Sequence, residues 1–193
     1  MKIRDRQKLA TRQRILEAAI VVFSRDGIIA SNTSDIAKEA AVSHGNVFAH
    51  FGSQEALVSA VIEEIGADIA SRIHELVNSC VEVREVLAVH LRAIAERESF
   101  YARLVAETPS LPSRARESLV MIQSAISFHL SPAVEAAMRS GAIRPMPLYL
   151  LFNTWSGLVN HYLINRELFA PGASVIEGRG SELLDHFMKL IST

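Results

Sequence analysis

One cysteine, Cys80, stands in 193 residues. It can form no disulfide within the chain, and alone it cannot furnish the thiolates of a structural zinc site or an iron–sulfur cluster. Glu82 precedes Arg84 beside it, and thiolates form where the surroundings are positive, so a redox switch at Cys80 is not the expectation. Glycine-rich phosphate loops and nucleophile elbows are also missing, and the seven histidines include no i, i+4 pair of metal-binding spacing. No enzyme class therefore has its usual support, and no cofactor is implied. The opening stretch MKIRDRQKLATRQR has no apolar core of a secretory signal behind it, which sets the expectation of a reducing, cytoplasmic compartment.

Hydrophobic residues make up 49% of the chain, with a mean hydropathy of +0.20. That is too apolar for disorder and rather apolar for a monomer, so part of the surface is expected at a subunit interface. The net charge of −1 conceals an uneven distribution. Residues 1–14 carry Lys2, Arg4, Arg6, Lys8, Arg12 and Arg14 against Asp5 alone. A basic arm on a nearly neutral body suits a polyanionic partner, although a solvated tail would have the same composition.

Helical periodicity dominates, and strand patterns are nearly absent. Ile15, Ala19, Val22 and Phe23 form one stripe of a first helix over residues 11–25, which Gly27 ends. Asn32, with Asp35 three residues on, opens a short helix through Ala40 whose inward residues are Ile36, Ala37 and Ala40. Ser43 caps another short helix, with Val42 and Val47 placed for a hydrophobic staple. Val47 and Phe51 share its inner face, leaving His44, Gly45, Asn46, Phe48, Ala49 and His50 on the others. Ser53 opens a long helix of about 24 residues whose core positions include Leu57 and Val61.

Two short helices joined by a tight turn make a helix-turn-helix. A DNA major groove about 12 Å wide admits one helix, provided that its exposed residues are slim and polar. Gly45 allows close approach, Asn46 can pair with adenine, and His44 can bond to a purine edge. The helix N-terminus suits a phosphate.

The segments ILEAAIVVFSRDG and TSDIAKEAAVSHGNVFAHFGSQEALVSAV resemble the N-terminal DNA-binding module of the TetR family of bacterial transcriptional regulators, from Thr11 to about Val61. The resemblance implies base contacts from Ser34, His44, Gly45 and Asn46, and phosphate contacts from Thr33, Ser43 and His50. Three positions depart from the family pattern. Ala41 stands where glycine is usual in the turn, Gln54 where lysine is usual, and Phe48 where a tyrosine hydroxyl would contact phosphate. Phe48 is then either a packing residue or a ring facing the DNA backbone. Losing two phosphate contacts weakens affinity that does not depend on sequence, and arm arginines reaching into an adjacent minor groove would offset this.

Downstream, helices are expected over residues 82–97, 99–107 and 113–140. Thr108-Pro109 stops the second, Pro132 either kinks the third or starts a new segment capped by Ser131, and Gly141 ends it. Residues 145–165 contain no charged side chain. Two prolines and Asn153, Asn160, His161 and Asn165 argue against a membrane span, so this helix is expected to be buried on all sides. A final helix is expected over residues 181–191.

The resemblance implies an all-α fold of about nine helices. Residues 1–53 would hold the basic arm and a three-helix helix-turn-helix domain, joined by the long helix to a helical effector-binding and dimerisation domain over 54–193. It further implies a homodimer through the last two long helices, with Leu151, Leu158, Tyr162, Leu184, Phe187 and Met188 at the interface. A cavity for a small, largely apolar effector would be lined by His90, Phe100, Tyr101, Leu104, Met121, Phe128, Trp155 and Tyr162. The expected function is a repressor that binds a palindromic double-stranded DNA operator and is released by its effector, with Gly66 in the long helix as a bending point. A constitutive DNA-binding protein without ligand, or more remotely an all-helical enzyme, is the alternative.

Overall fold

A computed structural model describes residues 3–77 and 82–193. Cys80 lies outside the described residues. Among them are ten α-helices, a one-turn 3-10 helix at Thr108–Ser110 and no strand beyond an isolated Ile143–Ser192 bridge. The helices are α1 (Ile3–Asp26), α2 (Thr33–Glu39), α3 (His44–Phe51), α4 (Gln54–Val77), α5 (Val83–Ala95), α6 (Glu98–Glu107), α7 (Ser113–Arg139), α8 (Leu148–Ile164), α9 (Arg166–Phe169) and α10 (Val175–Ile191). The chain forms two compact units. One comprises Met1–Gly66 with Ser99–Leu119, the other Ala67–Glu98 with Val120–Thr193. The division falls inside α4 and is discontinuous in sequence, unlike the single cut between residues 53 and 54 drawn from the sequence.

In the first unit, α1 runs without glycine or proline from Ile3 to Asp26. Its stripe of Ile15, Leu16, Ala19, Val22 and Phe23 is fully buried, together with Ile36 of α2, Val47 of α3, and Leu57 and Val61 of α4. Gly27 ends α1 at φ +96°. A Cβ there would also lie 2.8 Å from Glu107 Oε1. The same carboxylate accepts the Ile29 N–H at 2.7 Å, and Arg103 donates to the Arg25 carbonyl at 3.2 Å. Two side chains of α6 therefore hold the chain where it leaves α1.

The second unit is built on α5, α8 and α10. Its interior is Val86, Leu87, Leu91 and Ile94 against Leu151, Trp155, Val159, Leu183 and Phe187, all buried. Trp155 and Phe187 pack with their rings tilted at 54° and their centroids 5.1 Å apart. Gly180 lets α10 come close to α5, since a Cβ there would meet Ile176 at 3.4 Å and Leu91 at 3.5 Å.

Several expectations are corrected. The basic arm is not a disordered tail, because residues 3–10 continue α1. Their composition, with Arg, Lys, Gln, Leu and Ala, favours helix once a nucleus exists. α7 passes through Pro132 as one helix, and the Ser131 hydroxyl donates to the Ser127 carbonyl instead of capping a new segment. α10 begins six residues earlier than expected, capped by Ser174. α8 leaves Tyr149 65% and Leu150 and Ile164 each 49% exposed in the single chain, so the burial on all sides expected of it would require a partner subunit.

Candidate nucleic-acid interface

The reading head is assembled by local capping. The Asn32 side chain accepts the backbone N–H groups of Ser34 and Asp35, opening α2. α2 closes in a Schellman motif: the Ala41 N–H bonds to the Lys38 carbonyl at 3.1 Å and the Val42 N–H to the Ala37 carbonyl at 3.0 Å. That motif places Ala41 at φ +49°, the left-handed region, with a Cβ where glycine is favoured. Ser43 then caps α3, its hydroxyl accepting the Asn46 N–H at 3.3 Å. Gly52 at φ +77° ends α3, and Ser53 caps α4 through the Ala56 N–H at 3.1 Å.

Tertiary bonds then fix α3 to its surroundings. Thr33 Oγ1 and His44 Nε2 share a hydrogen bond of 2.9 Å that ties the start of α2 to the start of α3. Thr33 is buried, 6% exposed, so its hydroxyl serves this internal bond, although a phosphate contact was expected of it. Gln54, neutral where a cation is usual, donates to the Ser31 carbonyl at 2.8 Å and anchors α4 beneath the turn. Phe48 is 41% exposed and meets the His44 ring edge-on at 4.9 Å. It is thus both a packing residue for His44 and part of the outer face.

That outer face consists of Ser34, Ser43, His44, Gly45 and Asn46, all exposed, with Phe48 beside them and His50 half-buried. Nothing lies within 4 Å of a Cβ built on Gly45. The protein's own packing therefore places no demand for glycine there. Phe51, expected in the core, is half-buried, and the Arg12 guanidinium lies 5.0 Å over its ring. No local signal announces that pair, because its members are distant in sequence.

The residues expected around an effector are divided between the two units. Phe100, Tyr101 and Leu104 are buried in the first unit, whereas His90, Met121, Phe128, Trp155 and Tyr162 belong to the second. Met121 and Phe128 are 71% and 75% exposed. Both sit on the outer side of α7, whose inner row is Leu119, Ile122, Ile126 and Leu130. His90 and Trp155 do meet: the indole N–H donates to His90 Nδ1 at 2.9 Å. Nδ1 as acceptor puts the ring proton on Nε2, which is buried without a partner. Burial lowers the His90 pKa to about 4, so the ring is neutral. Of the expected interface residues, Leu151, Leu184 and Phe187 are already buried within the single chain, while Leu158, Tyr162 and Met188 remain partly exposed. Leu158 and Tyr162 line an open cleft with Leu183, His186 and Lys189.

No helix among the described residues is long and apolar enough to cross a membrane, and none of their His, Cys, Asp and Glu side chains cluster in threes fit for a metal. Residues 15–61 match the family model of bacterial regulatory proteins, tetR family. The HTH-type transcriptional repressor Rv3405c of Mycobacterium tuberculosis is 37% identical over 75 residues, 36% of this chain and 40% of that protein. The chain thus matches well under half the length of this relative. The HTH-type transcriptional repressor NicS of Pseudomonas putida is 27% identical over 148 residues, covering 74% and 70% of the two chains. Among solved structures, the transcriptional regulator FadR from Bacillus subtilis, in complex with stearoyl-CoA, superposes with a TM-score of 0.75 at 18% identity, over 93% of this chain and 98% of that one.

Proposed function

Because the chain belongs to the TetR family of bacterial regulators, its match running through the helix-turn-helix module, we propose that it is a transcriptional regulator, most simply a repressor. It binds a palindromic operator as a homodimer and is released by a small, largely apolar effector. The observation that carries this reading is the outer face of α3, where slim polar side chains surround a glycine that internal packing does not require. In the major groove, Asn46 and His44 read base edges together with Ser34 from α2, Gly45 allows contact with the helix backbone, and Ser43 and His50 meet phosphates. Thr33 acts through His44, holding its ring in place.

The effector enters the second unit, whose interior is almost wholly apolar apart from the His90–Trp155 pair and the Glu98 carboxylate. Its binding favours a conformer in which the two reading heads no longer match the half-site spacing. Gly66, the last residue of the first unit and internal to α4, is where the helix bends.

The test is selection of binding sites from random duplex DNA, repeated with Asn46→Ala. The wild type should enrich a palindrome. The variant should dimerise and melt like the wild type yet lose about 1–3 kcal/mol of discrimination per half-site. A variant that enriches the same sequence with equal strength would remove Asn46 from the readers, and no enrichment by the wild type would defeat the proposal.

A further inference from the structure

The arm that precedes the core of the first unit is helical and exposed from residue 3 to residue 10. Arg4, Lys8 and Arg12 recur at four-residue spacing and so form one row along it. This row continues the stripe that lower in α1 faces the core through Ile15, Ala19 and Phe23. Where the body of the unit ends, the inward face of α1 therefore changes from apolar to predominantly cationic, three basic residues standing there with Asp5. Arg12 marks the junction, half-buried over the ring of Phe51 at the end of α3. Arg6 and Arg14 project from the other faces. Three cations against one carboxylate, on the side of α1 whose Arg12 meets the reading helix, give that side a net positive potential.

We propose that residues 3–12 are a rigid helical arm whose Arg4–Lys8–Arg12 row lies along the phosphate backbone flanking the groove that α3 reads. This rests on the reading of the first unit as a DNA-binding module. Helical form decides the mode of contact. An α-helix with its side chains is about 10–12 Å across, and the minor groove is about 6 Å wide, so the arm cannot enter that groove as an extended arginine-bearing strand would. Over its length of roughly 14 Å it can lie along several phosphates of one strand, which recur about every 3.4 Å of the duplex axis. Arg12 is the anchor, fixed by Phe51, and Arg4 and Lys8 are the outer contacts. These charges replace the phosphate contacts that Phe48 and Gln54 do not make.

The experiment measures affinity of the full chain for a random-sequence duplex as salt is raised from about 50 to 200 mM. In Arg4→Gln/Lys8→Gln the slope of log K against log salt should fall by about 1.8 per protomer, about 0.9 for each lost phosphate contact. Arg6→Gln/Arg14→Gln removes the same charge from the other faces and should leave the slope near the wild-type value. Ala10→Pro keeps every cation but uncouples the arm from α1, and should weaken binding as much as the row variant does. Equal slopes for wild type and the row variant, or equal losses in the two double variants, would overturn the assignment of the row. Full affinity in Ala10→Pro would overturn the helical mode. A wild type that binds no duplex at all would instead defeat the DNA-binding reading on which the arm depends. Melting temperatures close to wild type are expected throughout, since these side chains are exposed.

Discussion

Ala41 carries a backbone cost that its neighbours impose. The Schellman closure of α2 needs a left-handed residue, and Ala41 supplies it at φ +49°. A Cβ in that region costs about 1–2 kcal/mol; a glycine would remove that cost, less the part offset by its greater entropy in the unfolded chain. Ala41→Gly should therefore stabilise the first unit by about 0.5–1 kcal/mol, read as a higher urea midpoint at unchanged m-value. A lower midpoint would mean that the strain is relieved elsewhere. His90 offers a second residue-scale test. Its folded pKa of about 4 lies below the ordinary 6.5 because burial penalises the charged ring. Between those values the unfolded chain binds the extra proton, so stability is full above about pH 6.5 and declines as pH falls toward 4. The decline attributable to this ring approaches roughly 3 kcal/mol. Denaturant titrations of wild type and His90→Leu across that range should diverge with that slope, and parallel curves would show that the ring is accessible to protons in the folded state.

At the scale of elements, α10 owes its start to a side chain from α6. Glu98 accepts hydrogen bonds from the Ser174 hydroxyl, the Val175 N–H at 2.8 Å and the Ile176 N–H at 3.1 Å. It is buried, 9% exposed, and it sits at the positive end of the helix dipole. Glu98→Ala would strand two buried backbone donors and should cost about 2–3 kcal/mol. Faster amide exchange at Val175 and Ile176 should accompany the loss, and unchanged exchange there would show that water replaces the carboxylate. The start of α10 was obscured by Gly178 and Gly180, which argue against helix locally, although Ser174 caps it within three residues through the Glu177 N–H; only the support from Glu98, 76 residues away from Ser174, had no local signal. The starts of α2 and α3 were legible because their caps, Asn32 and Ser43, also act within three residues and no glycine pair follows them. The exposed face of α3 was legible too, since periodicity alone turns Val47 inward. Thr33 was misread because its partner His44 lies eleven residues on across a turn. Met121 and Phe128 were misread because an aromatic or thioether type does not state which side of α7 it occupies.

At the scale of the whole molecule, the proposed palindrome requires two reading heads, and the surface proposed for joining them lies on the second unit. Leu158 and Tyr162 on α8 and Met188 on α10 are partly exposed, and Tyr149, Leu150 and Ile164 add uncovered apolar area on α8. The exposed positions of α8 also include Asn153, Thr154 and His161 but no Asp, Glu, Lys or Arg, whereas those of α10 include Glu182, Asp185, His186 and Lys189. Burial against a second copy satisfies such a mixed face when each polar group finds its mate across a two-fold axis. Leu158→Arg would place three methylenes and a fixed charge in the apolar part, with an identical charge opposite it near the axis. Sedimentation should then show monomers that melt with little change, because Leu158 contributes only part of its surface to the chain's own core. Operator affinity should fall by about a hundredfold or more, since the second head no longer binds at the high effective concentration that dimerisation provides. Nonspecific affinity per protomer should fall far less. A variant that remains dimeric would move the interface away from α8, and a monomer with full operator affinity would remove the need for a palindrome.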